Sequence, residues 1–311
     1  MSKDNRALTE AEPLLLGVDG GATKCRARLS APSGATLAEA LSGPANIRFG
    51  MKTSFAAVFE AGAQCLRQAG FSRHDLNRVV ACLALAGASE PAYRAVAQRH
   101  RHPYRNVVVT TDAHAACVGA HAGRDGAIII VGTGSIGWGE VRGRHVRIGG
   151  WGPVISDEGS GAWLGSEAAR RVLWAYDGRL PWSEFLTALF ERFRSDPHAI
   201  VRWSSRAASR DLAKLAPMVV DFARKGDGVA VELMRIGAGH IDTVARHLVS
   251  AGGTRLALMG GLAEPMEPWL AEETRRHLVP PVGDALDGAL RLAAAAAGLP
   301  PREEPAISKT G

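Results

Sequence analysis

The sequence predicts an α/β fold of two similarly built domains that face each other across a cleft. Two observations lead there. An apolar run that ends in a glycine turn occurs twice, at Leu14–Ser30 (LLLGVDGGATKCRARLS) and in the stretch Ala127–Val141 that contains Gly-Thr-Gly-Ser. The order of predicted elements then restarts after the first turn's domain, which is the signature of an internal structural duplication too diverged to show as repeated sequence. The 311 residues, 46% of them hydrophobic, supply enough apolar side chain for two separate cores.

The elements follow from local pattern. Strands are expected at Leu14–Val18, Cys25–Ser30 and Thr36–Leu41. A helix follows over Lys52–Ala69, where Phe55, Val58, Phe59, Ala63 and Leu66 fall on one face. A buried strand over Arg78–Leu85, a helix from Pro91, a strand over Asn106–Thr111 and a short helix from Ala113 complete the first half. The second half opens with strands at Ala127–Val131, Ile136–Val141 and His145–Ile148. A helical block from Gly159 to Ser250, a strand over Arg255–Met259 and helices near Met266–His277 and Gly283–Ala297 follow. Residues 1–12 and 302–311 read as polar tails.

The stretch Thr110–Gly165 concentrates the chemistry. Asp112 follows an apolar strand; a second strand ends at Thr133-Gly134-Ser135; a Gly-Gly-Trp-Gly loop at 149–152 precedes Ser-Asp-Glu-Gly-Ser at 156–160. Phosphoryl transfer to a hydroxyl needs these parts: a carboxylate to orient the acceptor, backbone donors for phosphate, and polar groups that fix the acceptor's position. The earlier Asp19-Gly20-Gly21 turn repeats the logic, since consecutive amides in a glycine turn form an anion-binding concavity and a strand-end carboxylate can hold magnesium directly or through water. Neither turn is a G-x-x-x-x-G-K-[ST] loop nor a G-x-G-x-x-G fingerprint. Each residue also has a plainer reading. Asp112 is a natural helix N-cap, Asn46 after Pro44 a natural turn residue, Lys24 a solvated strand residue, Trp151 a loop-packing ring, and Asp157 with Glu158 an acidic pair before a helix.

Composition narrows the classes. Net charge is +6, yet only six of the 37 basic residues are lysine, so the charge reflects a preference for arginine. No basic stripe with interleaved aromatics is present, which argues against nucleic acid as a partner. Cys25, Cys65, Cys82 and Cys117 lack any C-x-x-C spacing and sit in apparent strands and helices, as small core residues do in a reducing compartment. The N-terminal residues lack an apolar signal core and no run reaches the length of a membrane span, so a cytoplasmic protein with no membrane partner is expected.

The ordered blocks VDGGATKCRARL, GPANIRFG, LALAGA, TTDAHAACVGAH, IIIVGTGS, GGWGPVISDEGSGAW, LMGGLAE and GDALDGAL resemble the amino-sugar kinases (glucosamine kinase and N-acetylglucosamine kinase) of the BadF/BadG/BcrA/BcrD-type ATPase family, within the actin-like ATPase superfamily. The resemblance spans about Leu14 to Ala297. It implies two actin-like ATPase (ribonuclease H-like) domains about a central cleft, one formed by residues 13–118 with the helix 283–298, the other by 119–282 with a helical insertion. It implies ATP and Mg2+ as cofactors, an amino sugar as partner, and a homodimer through the second domain. Carried over by position, Asp19 would lie near the metal and Gly20, Gly21, Thr23 and Lys24 would form the first phosphate turn. Thr133, Gly134 and Ser135 would form the second phosphate turn, and Gly260 and Gly261 the adenosine turn. Asp112 would be the catalytic carboxylate, with Asn46, Asp112, Thr133, Gly150, Trp151 and Asp157 around the sugar. Two departures stand out. Ala22 replaces the third glycine of a common GGG turn, so residue 22 should keep a negative φ. Ala86-Gly87-Ala88 stands where eukaryotic relatives carry Ser-Gly-Gly, which removes one candidate hydroxyl contact. The competing reading from a different class is an ATPase activator of an acyl-CoA dehydratase or reductase system, which would need cysteines arranged to hold an iron–sulfur cluster.

Overall fold

A computed structural model describes residues 12–301; apart from Glu12, the tails expected at either end lie outside the described residues. The chain divides into two compact units, one built from residues up to Arg124 and from Pro281 onward, the other from Asp125–Pro280.

In the first unit the chain runs β1 (Leu14–Gly20), β2 (Cys25–Ser30), β3 (Thr36–Ser42), α1 (Met51–Gln68), β4 (Val79–Leu85), α2 (Pro91–Gln98), β5 (Asn106–Thr110) and α3 (Asp112–Ala120). Its five strands are ordered β3-β2-β1-β4-β5. The first three form an antiparallel meander, and β4 and β5 run parallel to β1. Side chains alternate between the faces of a strand, and the sheet buries both. Leu14, Leu16 and Val18 of β1 join Phe55, Val58 and Cys65 of α1 on one side. Leu15 joins Val80, Cys82 and Ala84 of β4 on the other, where the C-terminal helix and Ala115 of α3 cover them. The near-continuous apolar runs of β1 and β4 are what a two-sided parallel core requires.

The second unit contains β6 (Gly126–Val131), β7 (Ser135–Val141), β8 (Arg144–Gly149), α4 (Gly161–Tyr176), α5 (Glu184–Arg192), α6 (Pro197–Ser204), α7 (Ser209–Ala213), α8 (Ala216–Arg224), α9 (Gly228–Ser250), β9 (Leu256–Met259), α10 (Ala263–Met266) and α11 (Glu272–Arg275). The chain then returns to the first unit as α12 (Ala285–Ala296). Strand order is β8-β7-β6-β9, with β6, β7 and β8 antiparallel and β9 parallel to β6. This reproduces β3-β2-β1-β4 of the first unit, so the restart seen in the sequence is a duplicated sheet topology. Trp203 of α6 packs its ring 5.1 Å from that of Phe193 at the edge of the helical core. None of the helices among the described residues is long and apolar enough to cross a membrane.

Two expected elements differ. The helix anticipated near Met266–His277 is broken into α10, a 3-10 turn over Glu267–Trp269 and α11. Pro268 lacks the amide that a continuing helix needs, and the Asp242 carboxylate accepts from the Ala271 amide at the start of α11. The strand expected from Arg78 begins one residue later. Arg73–Arg78 forms a 3-10 turn capped at its start, where the Asp75 carboxylate accepts from the Ser72 amide and the Ser72 hydroxyl accepts from the His74 amide.

Candidate active site

In each unit the predicted site residues gather at the carboxyl ends of parallel strands, where open α/β sheets bind ligands. In the first unit β1 ends in Asp19 and Gly20, and Gly21–Lys24 turns the chain into β2. The turn is closed by a bond from the Gly21 amide to the Lys24 carbonyl, while Ala22, Thr23 and Lys24 are exposed. Among the described residues no backbone acceptor engages the amides of 22, 23 or 24. Ala22 is not among the described residues with positive φ, as its Cβ demands. Neighbouring loops are stitched to this turn: the Ala45 amide donates to Gly21 O, the Ala86 amide to Gly20 O and the Ile47 amide to Ala86 O. Asn46 therefore sits beside the turn. Its Oδ1 caps the 3-10 turn Ile47–Phe49 by accepting from the Arg48 amide at 3.0 Å, so its turn role and its candidate sugar role coexist, with the amide NH2 as the group left for a hydroxyl.

Asp19 is held differently from the simple metal-ligand expectation. Arg26 of β2 donates from Nε (3.2 Å) and Nη2 (2.8 Å) to the same Asp19 oxygen, Oδ2, and from Nη1 to Asp284 Oδ2 at 2.9 Å. Asp284 is the N-cap of α12. Partial burial alone would raise its pKa. The Asp287 amide and the Arg26 and Arg28 guanidiniums outweigh that and hold it below the usual range.

Asp112 occupies the first position of α3 rather than its cap. Thr111 is the N-cap, its Oγ1 accepting from the His114 amide at 3.0 Å, and Thr110 Oγ1 meets His114 Nδ1 at 2.7 Å. The Asp112 side chain is exposed, with Oδ1 accepting from the Ala113 amide. The cap reading of Asp112 is thus corrected: a β-branched hydroxyl already fills that position, and the carboxylate lies in the first turn, at the positive end of the helix.

In the second unit, Gly132–Gly134 joins β6 to β7. Its first two carbonyls are taken by the start of α4, where the Gly161 amide donates to Gly132 O (2.8 Å) and the Ala162 amide to Thr133 O (3.0 Å), while Gly134 O accepts from the Gly132 amide (2.9 Å). With those two carbonyls turned to α4, the Thr133 and Gly134 amides meet no backbone acceptor among the described residues, and Thr133 is exposed. Ser135 is buried, and its Oγ donates to Glu158 O at 2.8 Å. Gly260 and Gly261 follow β9 beside this turn, the Leu262 amide donating to Val131 O.

The loop 149–159 carries Gly150, Trp151 and Asp157. Gly150 has φ 71°, and a Cβ there would lie 2.7 Å from Ile136 Cγ1. Trp151 is 65% exposed, so loop packing is not its main role. Asp157 is buried and adopts φ 64°, unusual for a residue with a side chain though tolerated by Asp. Its Oδ1 accepts from the Gly152 amide at 3.2 Å. Burial raises its pKa above the ordinary carboxylate value and Glu158 adds to the rise, against the lowering effects of the Gly152 bond and Arg147. Its Oδ2 lies 2.6 Å from where a Cβ on Gly134 would stand. The predicted sugar carboxylate and the predicted phosphate turn are therefore in contact. An apolar cavity of about 690 Å3 in the first unit, lined by Phe59, Leu66, Phe71, Leu76 and Tyr104, includes none of these residues.

Residues 16–289 match the BadF/BadG/BcrA/BcrD ATPase family, and the chain belongs to that family. It is 37% identical over 278 residues to the glucosamine kinase GspK of Vibrio cholerae, covering 89% of this chain and 95% of that one. It is 28% identical to the N-acetylmuramic acid/N-acetylglucosamine kinase of Clostridium acetobutylicum, covering 85% and 90%. A solved structure from Chromobacterium violaceum, provisionally described as an N-acetylglucosamine kinase, superposes with a TM-score of 0.84 at 34% identity over 91% of this chain and 99% of that one. The chain has the two-domain actin-like ATPase fold. Arg147, Arg26 and Asp284, which hold Trp151 and Asp19 in place, carry no local sequence signal; only a signature pairing a strand arginine with a distant helix cap could have pointed to Arg26 and Asp284.

Proposed function

We propose that this member of the BadF/BadG/BcrA/BcrD ATPase family is an ATP-dependent amino-sugar kinase that transfers the γ-phosphoryl group to the 6-hydroxyl of glucosamine or N-acetylglucosamine. The observation that carries the reading is the contact between Asp157 and Gly134, which sets a buried carboxylate suited to ring hydroxyls against a turn whose amides are open to phosphate. The names of the relatives support the same substrate class.

In this reading Asp112 accepts the proton of the sugar hydroxyl as its oxygen bonds to the γ-phosphorus and the bond to the β-phosphate oxygen breaks, releasing ADP. Transfer of this kind is loose, so positioning and neutralisation of phosphate charge carry most of the rate. Amides of Ala22, Thr23 and Lys24 in the first turn and of Thr133 and Gly134 in the second supply donors at no reorganisation cost, with the Lys24 ammonium near the first turn. Gly260 and Gly261 take the adenosine. Asn46, Thr133, Gly150, Trp151 and Asp157 fix the sugar, with Asp112 at its reactive hydroxyl. A magnesium ion, when bound, would offset charge on the phosphate oxygens. Asp19 suits it as a hard oxygen donor, and because Arg26 occupies Oδ2, the other oxygen is the one available, directly or through water. We further assign the protein to the cytoplasm as a homodimer.

The test is ATP-dependent ADP release against glucosamine, N-acetylglucosamine, glucose, mannosamine and no sugar. A rate specific to one amino sugar, with 6-phosphate product identified by NMR, is the expected result. Sugar-independent hydrolysis, or phosphate at another hydroxyl, would overturn it.

A further inference from the structure

We propose that Arg147 is a positioning residue for the amino sugar, its guanidinium locking the 149–157 loop in the conformation that presents Trp151 and Asp157 to the substrate. The inference rests on the amino-sugar kinase reading and adds a residue to it.

Arg147 lies half-buried on β8, the edge strand of its sheet, paired with Trp138 of β7. Its side chain reaches forward along its own chain. Nε donates to Gly149 O at 3.1 Å, Nη2 donates to Gly150 O, and Cζ stands 3.9 Å from the centroid of the Trp151 ring. One planar fork thus fixes two successive carbonyls and one aromatic face. Those carbonyls belong to residues with φ of 67° and 71°, so the backbone reverses where the fork grips it. The order then propagates. Gly152 O accepts from the Ser156 amide at 2.8 Å, and the Gly152 amide donates to Asp157 Oδ1.

Trp151 contributes little to folding from where it sits. A ring 65% exposed buries too little surface to justify fixing its orientation. A ring with one face covered by a cation and much of its surface open is, however, a stacking platform for the C–H face of a pyranose. Lysine could supply the charge at 147, but not a fork that serves two carbonyls while lying flat on indole.

Arg147→Gln and Arg147→Lys are compared with wild type by steady-state kinetics and by hydrogen–deuterium exchange over 149–157. Both variants are expected to raise the KM for the amino sugar by at least about tenfold, with kcat within about threefold and the KM for ATP unchanged. Both should accelerate exchange in the loop. A wild-type sugar KM in the variants, or unchanged loop exchange, would overturn the assignment and leave the kinase reading standing. Full rescue by lysine would reduce Arg147 to a bare charge and also overturn it. Failure of the wild-type protein to phosphorylate any amino sugar would remove the kinase reading and the sugar role together.

Discussion

The carboxylate of Asp157 occupies the space that a side chain on Gly134 would need, with Oδ2 2.6 Å from the position of that missing Cβ. Glycine at 134 therefore lets a carboxylate from one loop abut a turn from another. Adding one methyl group forces the carboxylate aside, because Asp is too short to swing clear while keeping its bond from the Gly152 amide. Gly134→Ala is expected to raise the KM for the amino sugar at least about tenfold while leaving the midpoint of thermal unfolding within a few degrees. An unchanged sugar KM would show that Asp157 is not held against the turn for recognition.

Asp157 itself is kept at a cost to stability. Burial raises its pKa, so the folded state retains the proton to a higher pH than the unfolded chain does. Between the unfolded and the raised folded value the native state binds more protons, and the associated stability is present at low pH and lost as pH rises through that window. Asparagine at 157 takes no charge, can still accept from Gly152, and tolerates the φ of 64°. Asp157→Asn should therefore melt at or above the wild-type temperature near pH 8, with the gap closing near pH 4. Its sugar turnover should fall at least about a hundredfold. Scanning calorimetry across that range together with kinetics reads both; a lower melting temperature at pH 8 would contradict the assignment of burial as the dominant influence.

The parts of this site that were legible in the sequence are those encoded over a few residues. Asp19–Gly21 and Thr133–Ser135 announce themselves because a strand, a turn and a second strand are contiguous, and the duplicated meander follows from their repetition. Asp112 was legible as a strand-end carboxylate, yet its exact station was not. Whether Thr111 or Asp112 caps α3 is decided by a single residue of backbone, and the β-branched hydroxyl took the place. Long side chains were the least legible. Arg26 reaches Asp284, 258 positions away, and Arg147 folds back onto its own loop through backbone reversals that only the glycines at 149 and 150 permit. The break before α11 is only half legible: Pro268 marks it within the apolar pattern, while the carboxylate that completes it, Asp242, comes from α9.

Asp112→Asn separates chemistry from capping. Because Thr111 caps α3, the substitution leaves the helix cap intact and removes a favourable charge in the first helical turn, about 0.5 kcal/mol of stability. The amide cannot take the hydroxyl proton. We expect kcat to fall at least about a hundredfold with circular dichroism unchanged. Near-wild-type turnover would remove Asp112 from the proton-accepting role.

The cysteines discriminate the kinase from the activator reading. Cys25, Cys65, Cys82 and Cys117 are all buried, in β2, α1, β4 and α3. Burial pushes Cys25 up to about 11 and Cys65 and Cys82 up to about 12. A cluster ligand must be an accessible thiolate. No thiol is expected to react rapidly with Ellman's reagent in the native protein near pH 8, and four should react after guanidinium unfolding. Two or more fast native thiols, or visible absorbance in anaerobically purified protein, would restore the activator reading.

Gly260 and Gly261 look alike in sequence and should behave oppositely. Gly260 adopts φ 99°, and a Cβ there would press on the Val131 carbonyl group, 2.8 Å from its carbon, which is backbone and cannot swing away. Gly260→Ala combines backbone strain with overpacking against β6 and should lose about 3 kcal/mol of stability. A Cβ on Gly261 meets nothing within 4 Å. The protein's own packing therefore gives no reason for glycine there, whereas the proposed adenosine contact would. Gly261→Ala should melt like wild type and raise the KM for ATP several-fold, with the sugar KM unchanged. Thermal melts beside nucleotide titrations read the two effects separately. A Gly261→Ala variant with wild-type ATP affinity would move the adenosine site away from this turn, whatever Gly260→Ala does to the fold.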